Sequence, residues 1–321
     1  MKRREFSKKL FAAGLGLAAM GRLNLSAQEG AAGAWAPQKR DPFKTNFAPM
    51  LFDHFRASTK KDDIVDKLNF IYDRGFRCFE DNGMAGRPKE VQEAVAKRYH
   101  ELGMKMGLFV AYSDFGVPLM TAHRFSYGDR KTDKEGVRAF LKKTMEHAVE
   151  VSKRMGNKFC TVVPSRFDES LEAGIQFTNV VENLKFCAEI CEPSGLVMVL
   201  EPLNPKDHPD LWLKKAAQAR AVCKAVNSPS CKILYDVYHQ QRTEGDLISN
   251  IDSCWDEIGY FQVGDNPGRK EAGTGEINYK KIFSHLRSKG YTGFVGLEHG
   301  QSDNSKEGDE KFVRAYREVD A

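Results

Sequence analysis

Four short runs each end in a polar side chain able to bind a metal: Glu201 in LEPLN, Asp236 in YDVYH, Gln262 in YFQVGD and Glu298 in GLEHG. Each follows a β-like apolar stretch, and the gaps between them are 35, 26 and 36 residues, about one strand plus one helix apiece. Successive strands of a parallel β/α barrel each donate one residue to a common bowl in this way, at their C-terminal ends. Three carboxylates and an amide oxygen make a hard oxygen site, suited to Mg²⁺ or Mn²⁺. Carboxylates gathered away from water need a counter-charge, which a divalent cation supplies. Glu201 and Glu298 come from strands far apart in the succession, so they would flank a bound hydroxy-ketone. One could remove a proton from carbon and the other return it, with the metal on the carbonyl and hydroxyl oxygens. That chemistry is aldose–ketose isomerisation or epimerisation through an enediolate.

Other polar residues fall near the same strand ends. His239 follows Asp236 by three positions and is a candidate to polarise a substrate oxygen. Asp207, six residues after Glu201, is a candidate to orient the substrate or His239. Arg269 in DNPGR is a candidate fork for a substrate carboxylate. Glu80 ends an early strand and is expected to line the bowl; His54 and Arg166 are similarly placed but weaker candidates. Gly273-Thr274-Gly275 lacks the helix-opening context of a dinucleotide loop and reads as a turn.

To bring these residues together the chain must alternate strand and helix. Strands are predicted at 44–52, 76–80, 105–112, 158–164, 196–203, 232–238, 259–265 and 294–298. Helices are predicted at 60–74, 88–102, 134–155, 170–192, 210–226, 244–257, 279–289 and 307–319. Short apolar runs such as Met198-Val199-Leu200 suit a sheet buried on both faces. Gly75, Gly103, Gly156, Gly195 and Gly290 fall at helix ends, where a positive φ is wanted. Helix, glycine and strand repeating in this order imply right-handed βαβ units. Eight units close into an α/β fold of the (β/α)8 TIM-barrel type; an open doubly wound sheet is the rival.

The first 27 residues read as a twin-arginine export signal: Arg3-Arg4-Glu5-Phe6, then an apolar run from Leu10 to Met20 and an exit at Leu25-Ser26-Ala27. Residues 28–42 read as a linker and 43–321 as one barrel domain. The signal holds six Lys/Arg and one Glu, which accounts for the whole chain's formal charge of +5. The remainder is near neutral, which argues against nucleic acid as a partner. A periplasmic or otherwise exported protein is expected, with no membrane span in the mature part. The seven cysteines show no paired framework, although Cys187/Cys191 and Cys223/Cys231 are conceivable pairs. Twin-arginine cargo folds before export, so few disulfides are expected. A homo-oligomer is left open, through a barrel edge or the C-terminal loop.

The stretch from Leu200 to Tyr279 resembles hydroxypyruvate isomerases of the xylose isomerase-like (sugar phosphate isomerase/epimerase) TIM-barrel superfamily. The resemblance rests on Glu201-Pro202-Leu203-Asn204, on Tyr235 to Arg242 with Glu244-Gly245, on Gln262 to Pro267 running on to Gly273–Tyr279, and on Gly296-Leu297-Glu298. It implies metal ligands at Glu201, Asp236, Gln262 and Glu298, with Glu201 and Glu298 as the acid/base pair. Glutamine at 262 favours this branch, because the epimerase cousins usually carry histidine there. Three departures concern the substrate. The chain carries an export signal, its third strand ends in Val110-Ala111-Tyr112-Ser113 without the histidine often found there, and its 114–133 and 208–212 loops are its own.

The leading expectation is a metal-dependent isomerase acting on a small carbohydrate or hydroxy-keto acid. An exported lyase or hydrolase-like enzyme on 3-keto-sugars or glycosides would use the same proton abstraction. A metal-bearing carbohydrate-binding barrel is disfavoured by the two intact glutamates. A DNA-repair endonuclease of the same fold would need a histidine-rich multi-zinc site and a basic groove.

Overall fold

The barrel is seen in a computed structural model that describes residues 41–125 and 133–320. The expected signal and nearly all of the expected linker lie outside the described residues. Seven parallel strands form one curled sheet in the order β1-β9-β8-β7-β6-β5-β4. They are β1 (Asn46–Pro49), β4 (Leu108–Ser113), β5 (Phe159–Val163), β6 (Val197–Leu200), β7 (Cys231–Asp236), β8 (Ile258–Gln262) and β9 (Phe294–Leu297). A short parallel pair, β2 (Cys78–Phe79) and β3 (Lys105–Met106), fills the gap. On one side Leu51 N–H donates to the Glu80 carbonyl at 2.9 Å and Glu80 N–H to that of Pro49 at 3.0 Å. On the other, Gly107 N–H donates to Phe79 at 2.8 Å and Val110 N–H to Asn82 at 3.1 Å. The circle therefore closes with eight strand positions, the third being β3 plus β4. It breaks at Gly107, where a Cβ would stand 2.1 Å from the Tyr260 hydroxyl.

The helices are α1 (Ile64–Asp73), α2 (Lys89–Glu101), α3 (Leu119–Ala122), α4 (Lys134–Met155), α5 (Ala173–Cys191), α6 (Ala216–Val226), α7 (Val237–Thr243), α8 (Leu247–Cys254), α9 (Tyr279–Ser288) and α10 (Lys306–Val319). The starts of α1, α4, α9 and α10 are set by side chains that accept orphan N–H groups: Asp63, Asp133, Asn278 and Ser305. The five helix-end glycines all have positive φ, as expected. No described helix is long and apolar enough to cross a membrane, and all seven cysteines are buried free thiols. The main core lies between strands and helices. A separate plug of Leu108, Val199, Leu234 and Tyr260 packs together from β4, β6, β7 and β8.

Three stretches depart from expectation. The strand predicted at 232–238 stops at Asp236, because that carboxylate accepts the N–H groups of Tyr238 (2.8 Å) and His239 (3.4 Å) and starts α7 at once. The helix predicted from 210 begins at 216, because Trp212 N–H is taken by the Ser165 carbonyl at 3.2 Å and Leu211 bridges to Arg166. The loop after β4 holds α3, tied down by Met120 N–H to Ser165 Oγ at 3.0 Å. The first and last elements are joined where Lys44 and Thr45 N–H donate to Asp320 at 2.6 and 3.0 Å.

Candidate active site

Glu201 follows β6, Asp236 and Gln262 end β7 and β8 in mutual register, and Glu298 follows β9. All four thus stand at the C-terminal mouth, as expected of a barrel site. A carboxylate oxygen from each of Glu201, Asp236 and Glu298 and a ring nitrogen of His239 lie within 4.8 Å of one another, a cluster that could hold a metal ion. Asp236 and His239 are fully buried, Glu201 nearly so.

The electrostatics show what such a cluster lacks. Burial, then the charges of Glu298 and Asp236, hold the Glu201 carboxyl well above the usual range. Burial pushes Asp236 up to about 7, against the pull of Arg269. Burial, followed by the Arg269 charge, keeps His239 well below its ordinary value. Three buried polar atoms also stand without a hydrogen-bond partner: Glu201 Oε1, His239 Nε2 and Gln262 Oε1. Unpaired buried polar groups are costly, and natural structures rarely leave them so without reason. Two orphan oxygens beside crowded carboxylates fit a hard cation, which would give the first a partner and the second a counter-charge.

Several sequence candidates do something other than expected. Arg269 is not left open as a substrate clamp: its guanidinium donates to Glu298 Oε2 at 2.6 Å and Asp236 Oδ2 at 3.3 Å. It serves as a counter-charge inside the cluster, carried there by a loop in which Arg269 itself has φ 49°. Glu80 does not line the bowl. It lies fully buried beneath Gln262, accepting from Gln262 Nε2 at 3.1 Å and the Tyr260 hydroxyl at 2.9 Å. Tyr260 and Gln262 share a face of β8, so Tyr260, Glu80 and Gln262 form a ladder that uses the Gln262 amide nitrogen and leaves its oxygen without a partner. Gly296 leaves room for this: a Cβ there would stand 2.1 Å from Glu80 Oε2. We expect Gly296→Ala to cost about 1–3 kcal/mol by overpacking, read as a lowered thermal midpoint; an unchanged midpoint would show that Glu80 moves freely.

Asp207 accepts from Asn204 Nδ2 at 3.0 Å and the Tyr238 hydroxyl at 2.8 Å, and pairs with Arg242 at 3.3 Å. His54 is turned away, with Nε2 on the His299 carbonyl at 2.8 Å, and Arg166 lies 3.7 Å from Asp210. Gly273 and Gly275 N–H both donate to Asp265 Oδ2 at 2.9 Å, which makes the GTG segment a turn. Residues missed from sequence include Asn82, whose Nδ2 donates to Glu298 Oε1 at 2.6 Å, together with Asn204, Tyr238, Arg242 and Tyr260. Asn204, Tyr238, Arg242 and Tyr260 sit inside the quoted motifs, and nothing else marks them.

A barrel with acids converging at its mouth defines a class, and the comparisons identify it. The profile of the xylose isomerase-like TIM barrel matches residues 68–317. The hydroxypyruvate isomerase of Escherichia coli is 30% identical over 194 residues, covering 59% of this chain and 75% of that enzyme. The 2-oxo-tetronate isomerase of Cupriavidus necator is 29% identical over 164 residues, covering 51% of this chain and 63% of that enzyme. The solved 3-keto-D-glucoside 4-epimerase of E. coli superposes with a TM-score of 0.69 at 20% identity, over 86% of this chain and 99% of its own, a likeness of fold alone. The chain belongs to the xylose isomerase-like TIM-barrel family. It is an enzyme of the isomerase class.

Proposed function

We propose that this enzyme interconverts a small hydroxy-ketone and its hydroxy-aldehyde isomer through an enediolate, with a hydroxypyruvate-like acid as the preferred substrate. The observation that carries the reading is the convergence of Glu201 and Glu298, from β6 and β9, on one space bounded by Asp236 and His239. Glu201, Asp236, Gln262 and Glu298 would hold a divalent ion, Mg²⁺ or Mn²⁺. The chemistry such an ion supplies, when bound, is positive charge beside the two substrate oxygens.

The remaining steps belong to side chains. One glutamate takes the proton from the hydroxyl-bearing carbon, and the electron pair moves into the enediolate. The other returns a proton to the neighbouring carbon, the original carbonyl carbon. The first carbon becomes the new carbonyl as its hydroxyl proton passes to the old carbonyl oxygen, and the two glutamates regain their starting protonation through solvent, so no atom is gained or lost. Glu298 is held for this by Asn82 and Arg269. Glu201 has an unpartnered oxygen and a raised affinity for a proton, which suits a group that must both accept and donate. His239 Nε2, 3.6 Å from both Glu201 and Asp236, would contact a substrate oxygen held between them.

The test is solvent deuterium uptake at carbon, with Mn²⁺ or Mg²⁺ present, across hydroxypyruvate, free ketoses and 3-keto-glucosides. Uptake with hydroxypyruvate and its isomerisation support the reading. Uptake only with 3-keto-glucosides would move the substrate to that class, and no uptake with any would sink the mechanism. We also propose export of the folded enzyme, on the strength of Arg3-Arg4 and the apolar run behind them. A reporter fused to residues 1–27 should reach the periplasm and should stay inside when both arginines are changed to lysine.

A further inference from the structure

A neutral imidazole has one N–H, and what surrounds one ring nitrogen decides what the other can do. Around His239 that decision is made by a single residue. Asn204 is fully buried, as is His239. Its Oδ1 accepts the main-chain N–H groups of Lys206 at 3.1 Å and Asp207 at 3.0 Å. An amide turned the other way would press its NH₂ against two N–H donors, so the assignment of oxygen and nitrogen is fixed by the network. The NH₂ group then gives one hydrogen to Asp207 Oδ2 at 3.0 Å and lies 2.7 Å from His239 Nδ1. The main-chain N–H of Asn204 also donates to His239 Nδ1, at 3.2 Å.

With two N–H groups aimed at it, Nδ1 must present its lone pair, and the ring proton must sit on Nε2. We infer that Asn204 is a positioning residue that locks His239 in the Nε2–H form, so that the ring offers the site a hydrogen-bond donor and no lone pair. Two consequences follow. His239 stays out of the metal's coordination although it lies among the acids, and the orphan oxygen of Gln262 is left as the neutral ligand. The donor aimed into the space between Glu201 and Asp236 is available for a substrate oxygen as charge develops there. Asp207 enters the same chain: held by Tyr238 and Arg242, it fixes the second hydrogen of the Asn204 amide.

The catalytic consequence rests on the isomerase reading, whereas the tautomer does not, and the experiment separates them. Protein labelled with ¹⁵N-histidine is examined by long-range ¹⁵N–¹H correlation, with His239 assigned from a His239→Gln sample. In the wild type, Nδ1 should give a pyridine-type resonance and Nε2 a pyrrole-type one. In Asn204→Asp, a carboxylate oxygen faces Nδ1 and calls for a proton there, so the Nδ1 resonance should become pyrrole-type. With the best substrate, kcat should fall about 10²–10³-fold, the effect of losing one preorganised donor, with a much smaller change in KM. A pyrrole-type Nδ1 in the wild type would overturn the inference, and so would an unchanged spectrum in folded Asn204→Asp. Absence of isomerase activity alongside the expected wild-type spectrum would instead count against the functional reading alone.

Discussion

Glu201→Gln is expected to lower kcat by about 10²–10⁴-fold, the usual worth of a positioned proton-transfer group, while raising the thermal midpoint of the metal-free protein at pH 8. The two effects have one cause. The Glu201 carboxyl is buried beside Glu298 and Asp236, and its proton affinity is raised well above normal. A carboxyl bound more tightly to its proton in the folded chain than in the unfolded one costs stability once it must ionise. Below the unfolded value both states are protonated and glutamine gains nothing; the gain should grow as pH rises through the folded value. Glu298→Gln should lose activity to a similar extent but move stability the other way. It removes the acceptor of the Arg269 pair at 2.6 Å, and hydrogen bonds to charged groups contribute about 1.5–3 kcal/mol. Steady-state kinetics and pH-dependent melting of the two variants check both halves. Retained turnover in either removes that glutamate from the acid/base pair. A lowered midpoint for Glu201→Gln at pH 8 would contradict the account of the crowded acids.

The strand ends carrying Glu201, Asp236, Gln262 and Glu298 were legible because a parallel sheet turns sequence period into spatial position. An apolar run and a polar terminus, repeated at strand-plus-helix spacing, leave few other arrangements. The end of β7 was misjudged because Asp236 does two things. It closes a strand and caps a helix, and Val237-Tyr238 are apolar enough to extend either. Glu80 obeys the same grammar as the four yet ends beneath them. What sends it down is the missing side chain of Gly296, more than two hundred residues away, together with the Tyr260 hydroxyl. Arg269 is similar, since a loop arginine reads as a reaching cation until the loop folds it onto the acids. Asn82 and Asn204 left no signal because an asparagine's worth lies in which groups surround it. Sequence thus places the groups that carry charge, and leaves unspecified the neutral groups that aim them.

Adding Mn²⁺ or Mg²⁺ to metal-free protein should raise its thermal midpoint more at pH 8 than at pH 5, and Asp236→Ala should abolish the rise. Asp236 has its proton affinity pushed up to about 7 by burial, against an unfolded value of about 3.9. Its contribution therefore turns unfavourable as pH rises through that interval and levels off above it, because the folded chain must give up a proton it holds more tightly than the unfolded chain does. Without metal, the Asp236 contribution to stability should decline from pH 5 to pH 8. A cation replaces the proton at the same oxygens, so its affinity climbs over the same window and offsets the decline. At one hundred times the dissociation constant the gain is about 2.7 kcal/mol, worth roughly 4–5 °C for a domain of this size. Asp236→Ala removes both the ligand and the buried charge. It should lose the Asp236 part of the pH dependence and melt at a midpoint that metal does not move, and α7 should fray because its cap is gone. Calorimetry with and without the ion at the two pH values decides the matter. An equal metal-induced shift in Asp236→Ala would place the ion elsewhere, and an equal shift at pH 5 and pH 8 would mean that these carboxylates do not exchange protons for metal.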